Sequence, residues 1–165
     1  MITLVLGGAR SGKSHVAERL AAQSSDDVTY VATMRVQNDD VLASRVAQHQ
    51  QRRPSRWSTV VADDDLADVL RATAGTVLID SLGPWLAALP EMKPDLRGLV
   101  DALSRRVGDT IIVSDEVGLS VHPESPLGRE FRDALGTLNQ TVARVADNVF
   151  LVVAGRVLSL PAGDN

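Results

Sequence analysis

Gly7-Gly8-Ala9-Arg10-Ser11-Gly12-Lys13-Ser14 decides the reading of this chain: a glycine, four residues, then glycine, lysine and serine. That is the P-loop pattern, and its surroundings agree with it. Ile2-Thr3-Leu4-Val5-Leu6 is an apolar run of strand length, and Val16, Ala17, Leu20 and Ala21 recur at helical spacing after Ser14. Glycines let backbone N–H groups curl around phosphate oxygens, and a helix starting at the end of the loop turns its positive end toward them. Lys13 is then expected to reach the β- and γ-phosphates, and the Ser14 hydroxyl to ligate Mg²⁺. The alternative is a glycine-rich turn without a ligand. The complete pattern, placed directly after the first strand, favours a nucleoside-triphosphate site over that turn.

Beyond the loop, apolar runs rich in β-branched residues alternate with helical patterns. Strands are expected over Val28–Thr33, Trp57–Val61, Thr76–Asp80, Thr110–Ser114 and Asn148–Ala154, the last closing through a Gly155-Arg156 turn onto Val157–Leu160. Helices are expected from about Asp40 to Arg52, after Asp63–Asp65, from Pro84, from Asp95 or Leu96 through Val107, and from Leu127 to Ala146. The expected fold is α/β, a P-loop NTPase domain over residues 1–165 with a mostly parallel sheet flanked by helices and a C-terminal β-hairpin. Ligands of such sheets sit beyond the strand C-terminal ends, where Thr33, Asp80, Asp115 and Glu116 fall.

Composition narrows the classes further. Aromatic residues are 3% of the 165, so the core must be built from Val, Leu, Ile and Ala. The chain has no cysteine, which excludes disulfides, thiolate metal sites and a cysteine nucleophile. A formal net charge of −4 gives no global basic field for nucleic acid. The P-loop starts at residue 7, which leaves no room for a signal peptide, and no apolar run reaches membrane-spanning length. A cytoplasmic protein is expected.

Two constellations carry further chemistry. A P-loop site needs an acid to organise its metal; Asp80 and Asp115 both end apolar strands, and Asp80 is the preferred candidate. The second lies between Arg45 and Trp57, where Arg45, His49 and Arg52 or Arg53 share one face of a helix. Guanidinium groups around His49 disfavour its protonated form and keep a neutral imidazole available as a nucleophile or base. The same guanidiniums can grip phosphate oxygens in pairs. On spacing alone a solvated polar helix face is the commoner outcome of such a pattern. His15 and His122 lack these surroundings and are read as structural.

With these residues in view, the chain resembles the bifunctional adenosylcobinamide kinase / adenosylcobinamide-phosphate guanylyltransferase family of cobalamin biosynthesis. The resemblance runs from Ile2 to about Leu160. It rests on the loop at 7–14 followed by Ala17-Glu18; on Tyr30-Val31-Ala32-Thr33; on Arg45-Val46, His49, Arg53-Pro54 and Trp57; and on Glu116-Val117-Gly118 with Pro123-Glu124, Arg129, Phe131-Arg132-Asp133, Gly136 and Asn139-Gln140. It implies phosphoryl transfer from ATP or GTP to the corrinoid, and then GMP transfer from GTP through a GMP-histidine on His49. Lys13 is the second catalytic group. Gly7 to Ser14 with Ala32, Thr33, Met34, Arg52, Arg53 and Asp80 are the expected nucleotide contacts, and Asp115, Glu116, Arg129 and Arg132 the substrate-loop candidates. Mg²⁺ on Ser14 and Asp80, a RecA-like fold and a homotrimer are also implied. The sequence departs from the family pattern at Gln48, Val61 and Asp115, and its strand-end motif Asp80-Ser81-Leu82-Gly83-Pro84-Trp85 keeps the acid and the tryptophan but not the usual threonine. A monofunctional small-molecule kinase or a nucleotide-dependent regulator are the alternative readings.

Overall fold

The computed structural model describes residues 1–33, 54–62, 65–119 and 121–163. The expected helix from Asp40 to Arg52, and with it Met34, Arg45, His49, Arg52 and Arg53, lies outside the described residues.

Strand β1 (Ile2–Gly7) leads through the glycine loop into α1 (Lys13–Ser24). After it come β2 (Val28–Ala32), β3 (Ser58–Val61), α2 (Leu66–Ala72), β4 (Thr76–Asp80) and α3 (Leu82–Ala88). A short 3₁₀ turn at Pro90–Met92 precedes α4 (Leu96–Arg105), β5 (Thr110–Asp115), α5 (Pro126–Ala143) and the hairpin of β6 (Asn148–Val153) and β7 (Arg156–Leu160). Among the described residues the strands form a seven-stranded sheet in the order β3-β2-β4-β5-β1-β6-β7. Each neighbouring pair is parallel except β6 and β7. The α/β architecture and closing hairpin expected from the sequence are therefore present.

Strand alternation sorts the core into two layers. On one face, Leu4, Leu6, Val31, Val77, Ile79 and Ile112 pack with Leu66 and Leu70 of α2, Leu82 and Leu86 of α3, Leu99 and Leu103 of α4, and Leu135 and Leu138 of α5. On the other, Val5, Tyr30, Leu78, Ile111 and Val113 meet Val16, Ala17 and Ala21 of α1. A strand buried on both faces needs continuous apolar residues, which is why β1, β4 and β5 read as unbroken runs. Each fully buried Leu or Ile contributes roughly 1.5–3 kcal/mol. The same period of two carries Asp80, two residues after Leu78, and Asp115, two after Val113, onto the α1 face.

Local chemistry sets the helix ends. Asp65, Asp95 and Ser125 accept the backbone N–H of Asp68, Gly98 and Gly128, capping α2, α4 and α5. Several boundaries differ from expectation. Helix α3 starts at Leu82, with Pro84 tolerated in its first turn, where no intrahelical N–H bond is lost. Helix α4 stops at Arg105 because Arg106 leaves the helix: its guanidinium donates to the carbonyls of Leu70, Thr73 and Gly75 and to Thr110 Oγ1. Burial lowers the pKa of that guanidinium from its ordinary value, and these acceptors hold it in place. Helix α5 ends at Ala143, three residues before the expected Ala146. The hairpin turns on Ala154 and Gly155, both at positive φ (51° and 77°), and Arg156 already pairs with Val153. Two left-handed residues in a two-residue loop match the twist of the strands they join.

Among the described residues, no helix is long and apolar enough to cross a membrane.

Candidate active site

The glycine loop crosses from β1 to α1 at the C-terminal edge of the sheet. Arg10 takes φ +57° and Gly12 φ +93°, the latter at the helix N-cap, where a side chain would be strained. Gly8, Ala9 and Arg10 are exposed, whereas Gly7 is buried beneath the loop. A Cβ on Gly7 would press on Ser11 Oγ and stand 2.8 Å from the Val152 carbonyl oxygen, so the loop needs glycine there. Ser11 N–H donates to Gly8 O at 3.2 Å, closing the loop on itself. Gly155 N–H of the β6–β7 turn donates to Ser11 O at 2.8 Å. The hairpin thus braces the phosphate-binding loop from behind.

Two carboxylates face this loop. Ser14, in the first turn of α1, donates its hydroxyl to Asp80 Oδ1 at 3.3 Å. Tyr30 OH, rising from β2, donates to Asp80 Oδ2 at 3.0 Å. Lys13 Nζ lies 2.7 Å from Asp115 Oδ1 and donates to Gly8 O at 3.2 Å, with its side chain 12% exposed. Asp115 fits against Gly83, where a Cβ would come within 2.7 Å of Oδ2. Its strand end is fixed by Asn139 Nδ2, which donates to Asp115 O at 3.0 Å, and Ser114 donates to Asn139 Oδ1 at 2.6 Å. The structure therefore separates the two strand-end acids: Asp80 faces the helix serine and Asp115 the loop lysine.

The remaining sequence candidates scatter. Thr33, 1% exposed, gives its hydroxyl to Ser81 O at 2.6 Å and ties the end of β2 to the start of α3; Ala32 stands opposite Asp80 in the β2–β4 register. Glu116 N–H donates to Gly7 O, and its carboxylate accepts Gly118 N–H at 2.7 Å, so it shapes the turn after β5. Arg129 donates to the carbonyls of Pro123 and Glu124, bracing that loop. Arg132 contacts Asp133 and His122 Nδ1, the latter at 2.8 Å. His15 is exposed on α1.

The donors around Ser14 are a hydroxyl and a carboxylate. No group of three or more His, Cys, Asp or Glu side chains suited to a metal occurs among the described residues. This set fits a hard cation that keeps water and phosphate ligands, as Mg²⁺ does, and does not make an all-protein cage. Sequence reasoning gave no role to Tyr30, Gly83 or the Ala154–Gly155 turn. The one available signal was that Tyr30 is the single tyrosine of an aromatic-poor chain, and a buried phenol needs a polar partner.

A strand, a glycine loop with its lysine and serine at a helix start, and acids from two nearby strand ends define a P-loop nucleotide-binding protein of RecA-like architecture. Solved structures share this fold. A prototypical ATPase from the type III secretion system of pathogenic bacteria superposes with TM-score 0.58 at 12% identity over 96% of this chain, which spans 56% of that ATPase chain. The flagellar accessory protein FlaH of Methanocaldococcus jannaschii gives 0.52 at 14% identity, covering 94% of this chain and 74% of that one. The chain belongs to the cobinamide kinase / cobinamide phosphate guanyltransferase family, whose sequence model matches residues 3–160. It is 38% identical to the bifunctional adenosylcobalamin biosynthesis protein CobP of Pseudomonas aeruginosa, over 97% of each chain. To the bifunctional protein CobU of Escherichia coli K12 it is 36% identical, over 94% of this chain and 97% of that one.

Proposed function

We propose that the whole chain works as one catalytic domain with a single nucleotide site serving two reactions. In the first, the aminopropanol hydroxyl of adenosylcobinamide attacks the γ-phosphorus of ATP or GTP, the bond to the β-phosphate oxygen breaks, and a nucleoside diphosphate leaves. In the second, a neutral imidazole nitrogen of His49 attacks the α-phosphorus of GTP and expels pyrophosphate. A phosphate oxygen of adenosylcobinamide phosphate then attacks the same phosphorus, the phosphorus–nitrogen bond breaks, and adenosylcobinamide-GDP forms with His49 regenerated.

The observation that carries this reading is the family match over residues 3–160, which takes in both the glycine loop and His49. The roles follow from the chemistry of the side chains. Loop N–H groups and Lys13 bind and neutralise phosphate oxygens; Arg52 and Arg53 offer paired donors to the same charge. Ser14 and Asp80 would hold Mg²⁺, which when bound offsets charge on the phosphates. Asp115, Glu116, Arg129 and Arg132 line or shape the loop on the corrinoid side. The resemblance further supports a homotrimer, and a nucleoside-triphosphate-consuming biosynthetic enzyme belongs in the cytoplasm.

Incubation with GTP and Mg²⁺, without corrinoid, tests the reading. One GMP adduct per chain is expected, labile in acid and stable in alkali, and absent in His49→Asn. That variant should keep most kinase activity, because an alcohol can attack the γ-phosphate without a covalent enzyme intermediate. An adduct that persists in His49→Asn, or maps by peptide mass spectrometry to His15 or His122, overturns the assignment. Phosphorylation of cobinamide with no adduct at all would make the protein a monofunctional kinase.

A further inference from the structure

We infer that Tyr30 is a positioning residue for the divalent cation of the nucleotide complex, acting through Asp80; the inference rests on the reading of Asp80 as the metal-organising acid.

Tyr30 is 5% exposed, its ring buried with Val5, Val16, Ala17, Leu78 and Val113 between the sheet and α1. It stands opposite Leu78 in the β2–β4 register, and Ala32 stands opposite Asp80. Tyr30 and Asp80 are therefore diagonal neighbours, two positions apart on the same face, a separation that an aromatic side chain can bridge. The phenol hydroxyl emerges from the apolar layer at the active-site edge and donates to Asp80 Oδ2 at 3.0 Å, while Oδ1 receives Ser14 Oγ at 3.3 Å.

A carboxylate at the end of a strand rotates freely about its last torsion unless something holds it, because that torsion has broad wells. Here one oxygen is held from below by the phenol, which directs the other toward Ser14. The order of parts has a physical logic: an apolar layer anchors the ring, the ring anchors the hydroxyl, and the hydroxyl orients the carboxylate. Partners that orient a metal-binding group in this way typically change metal affinity by about 10–100-fold when removed. Tyr30→Phe leaves the Asp80 carboxylate itself in place, so the lower end of that range applies. Phenylalanine preserves the buried ring and removes only the donor oxygen.

The experiment titrates Mg²⁺ against a fixed concentration of a fluorescent GTP analogue and reads binding by anisotropy in wild type, Tyr30→Phe, Asp80→Asn and the double variant. Thermal melting checks the fold of each. Tyr30→Phe should raise the Mg²⁺ concentration for half-maximal binding about tenfold. At saturating Mg²⁺ it should bind the analogue as wild type does. The tyrosine effect should vanish in the Asp80→Asn background. An unchanged requirement in Tyr30→Phe beside a raised one in Asp80→Asn overturns the role of Tyr30 and leaves that of Asp80 standing. No change in either overturns both. A tyrosine effect of equal size with and without the carboxylate also overturns the inference, since Tyr30 would then act by another route. A structural role alone would lower the melting temperature and leave the metal titration where it was.

Discussion

Among the described residues, Lys13 and Asp115 form the closest charge pair of the site, at 2.7 Å, with the lysine side chain 12% and the aspartate side chain 31% exposed. The ammonium has three donors and directs two of them at Gly8 O and Asp115, so this carboxylate opposes nucleotide binding by competing for the lysine, by at most what the pair is worth. A pair of this exposure is worth about 1 kcal/mol, or roughly a fivefold change in affinity. Asp115→Asn should therefore tighten GTP binding by up to about fivefold in a direct binding titration and leave the Mg²⁺ requirement unchanged. Asp80→Asn should raise that requirement in both reactions, because an amide is a poorer ligand than a carboxylate for a hard cation. Metal titrations with the reverse order would exchange the two roles. Lys13→Ala should lower both the kinase and the guanylyl-transfer rate on the order of a hundredfold or more, since one cation offsets the charge that develops in each. Near-normal guanylyl transfer in that variant would point to a second nucleotide site.

At the scale of elements, the closing hairpin does more than finish the sheet. Its Gly155 N–H holds Ser11 O, and a Cβ on Gly12 would stand 3.4 Å from Gly155 Cα, so the turn and the phosphate-binding loop are built against each other. Ala154 pays for the turn with φ +51°, which costs an L-residue roughly 1–2 kcal/mol. Ala154→Asn creates the Asn-Gly pair that such turns prefer. The substitution should raise stability by about 0.5–1 kcal/mol, read as a higher urea midpoint with an unchanged slope. The central strand runs and the helices after Asp65 and Asp95 were legible in the sequence, because burial on two faces and side-chain caps leave local signatures; the Ser125 cap went unread behind Pro126. The turn was misplaced by one residue, because glycine at either turn position satisfies the same local pattern. Only the pairing of Arg156 with Val153 sets the register.

At the scale of the molecule, the helices are divided unequally: α2 to α5 cover one sheet face, and α1 is the described helix on the other. The strand order puts β1 between β5 and β6, with β4 one strand further away. That order gives the loop lysine the acid of the adjacent strand and leaves the helix serine to the acid of the next one. Light scattering should return three times the 17.6 kDa chain mass if the homotrimer holds. A monomer mass at working concentrations would refute it.

The amino-acid order alone determined the phosphate-binding loop, the α/β class and the identity of the strand-end acids, because each is written in neighbouring residues: a glycine spacing, an apolar run, a carboxylate after it. The arginines around His49 made it a candidate only; the family resemblance carried its assignment as nucleophile, and the residue lies outside the described residues. Which acid meets which loop residue was decided by tertiary structure. Asp80 and Asp115 end similar apolar runs, and nothing local distinguishes them; the order of β4 and β5 beside β1 does. Tyr30 shows the same limit. Its burial was foreseeable from an aromatic ring in an apolar strand. The carboxylate that its hydroxyl meets lies 50 residues away in sequence and became a neighbour only when β2 and β4 paired.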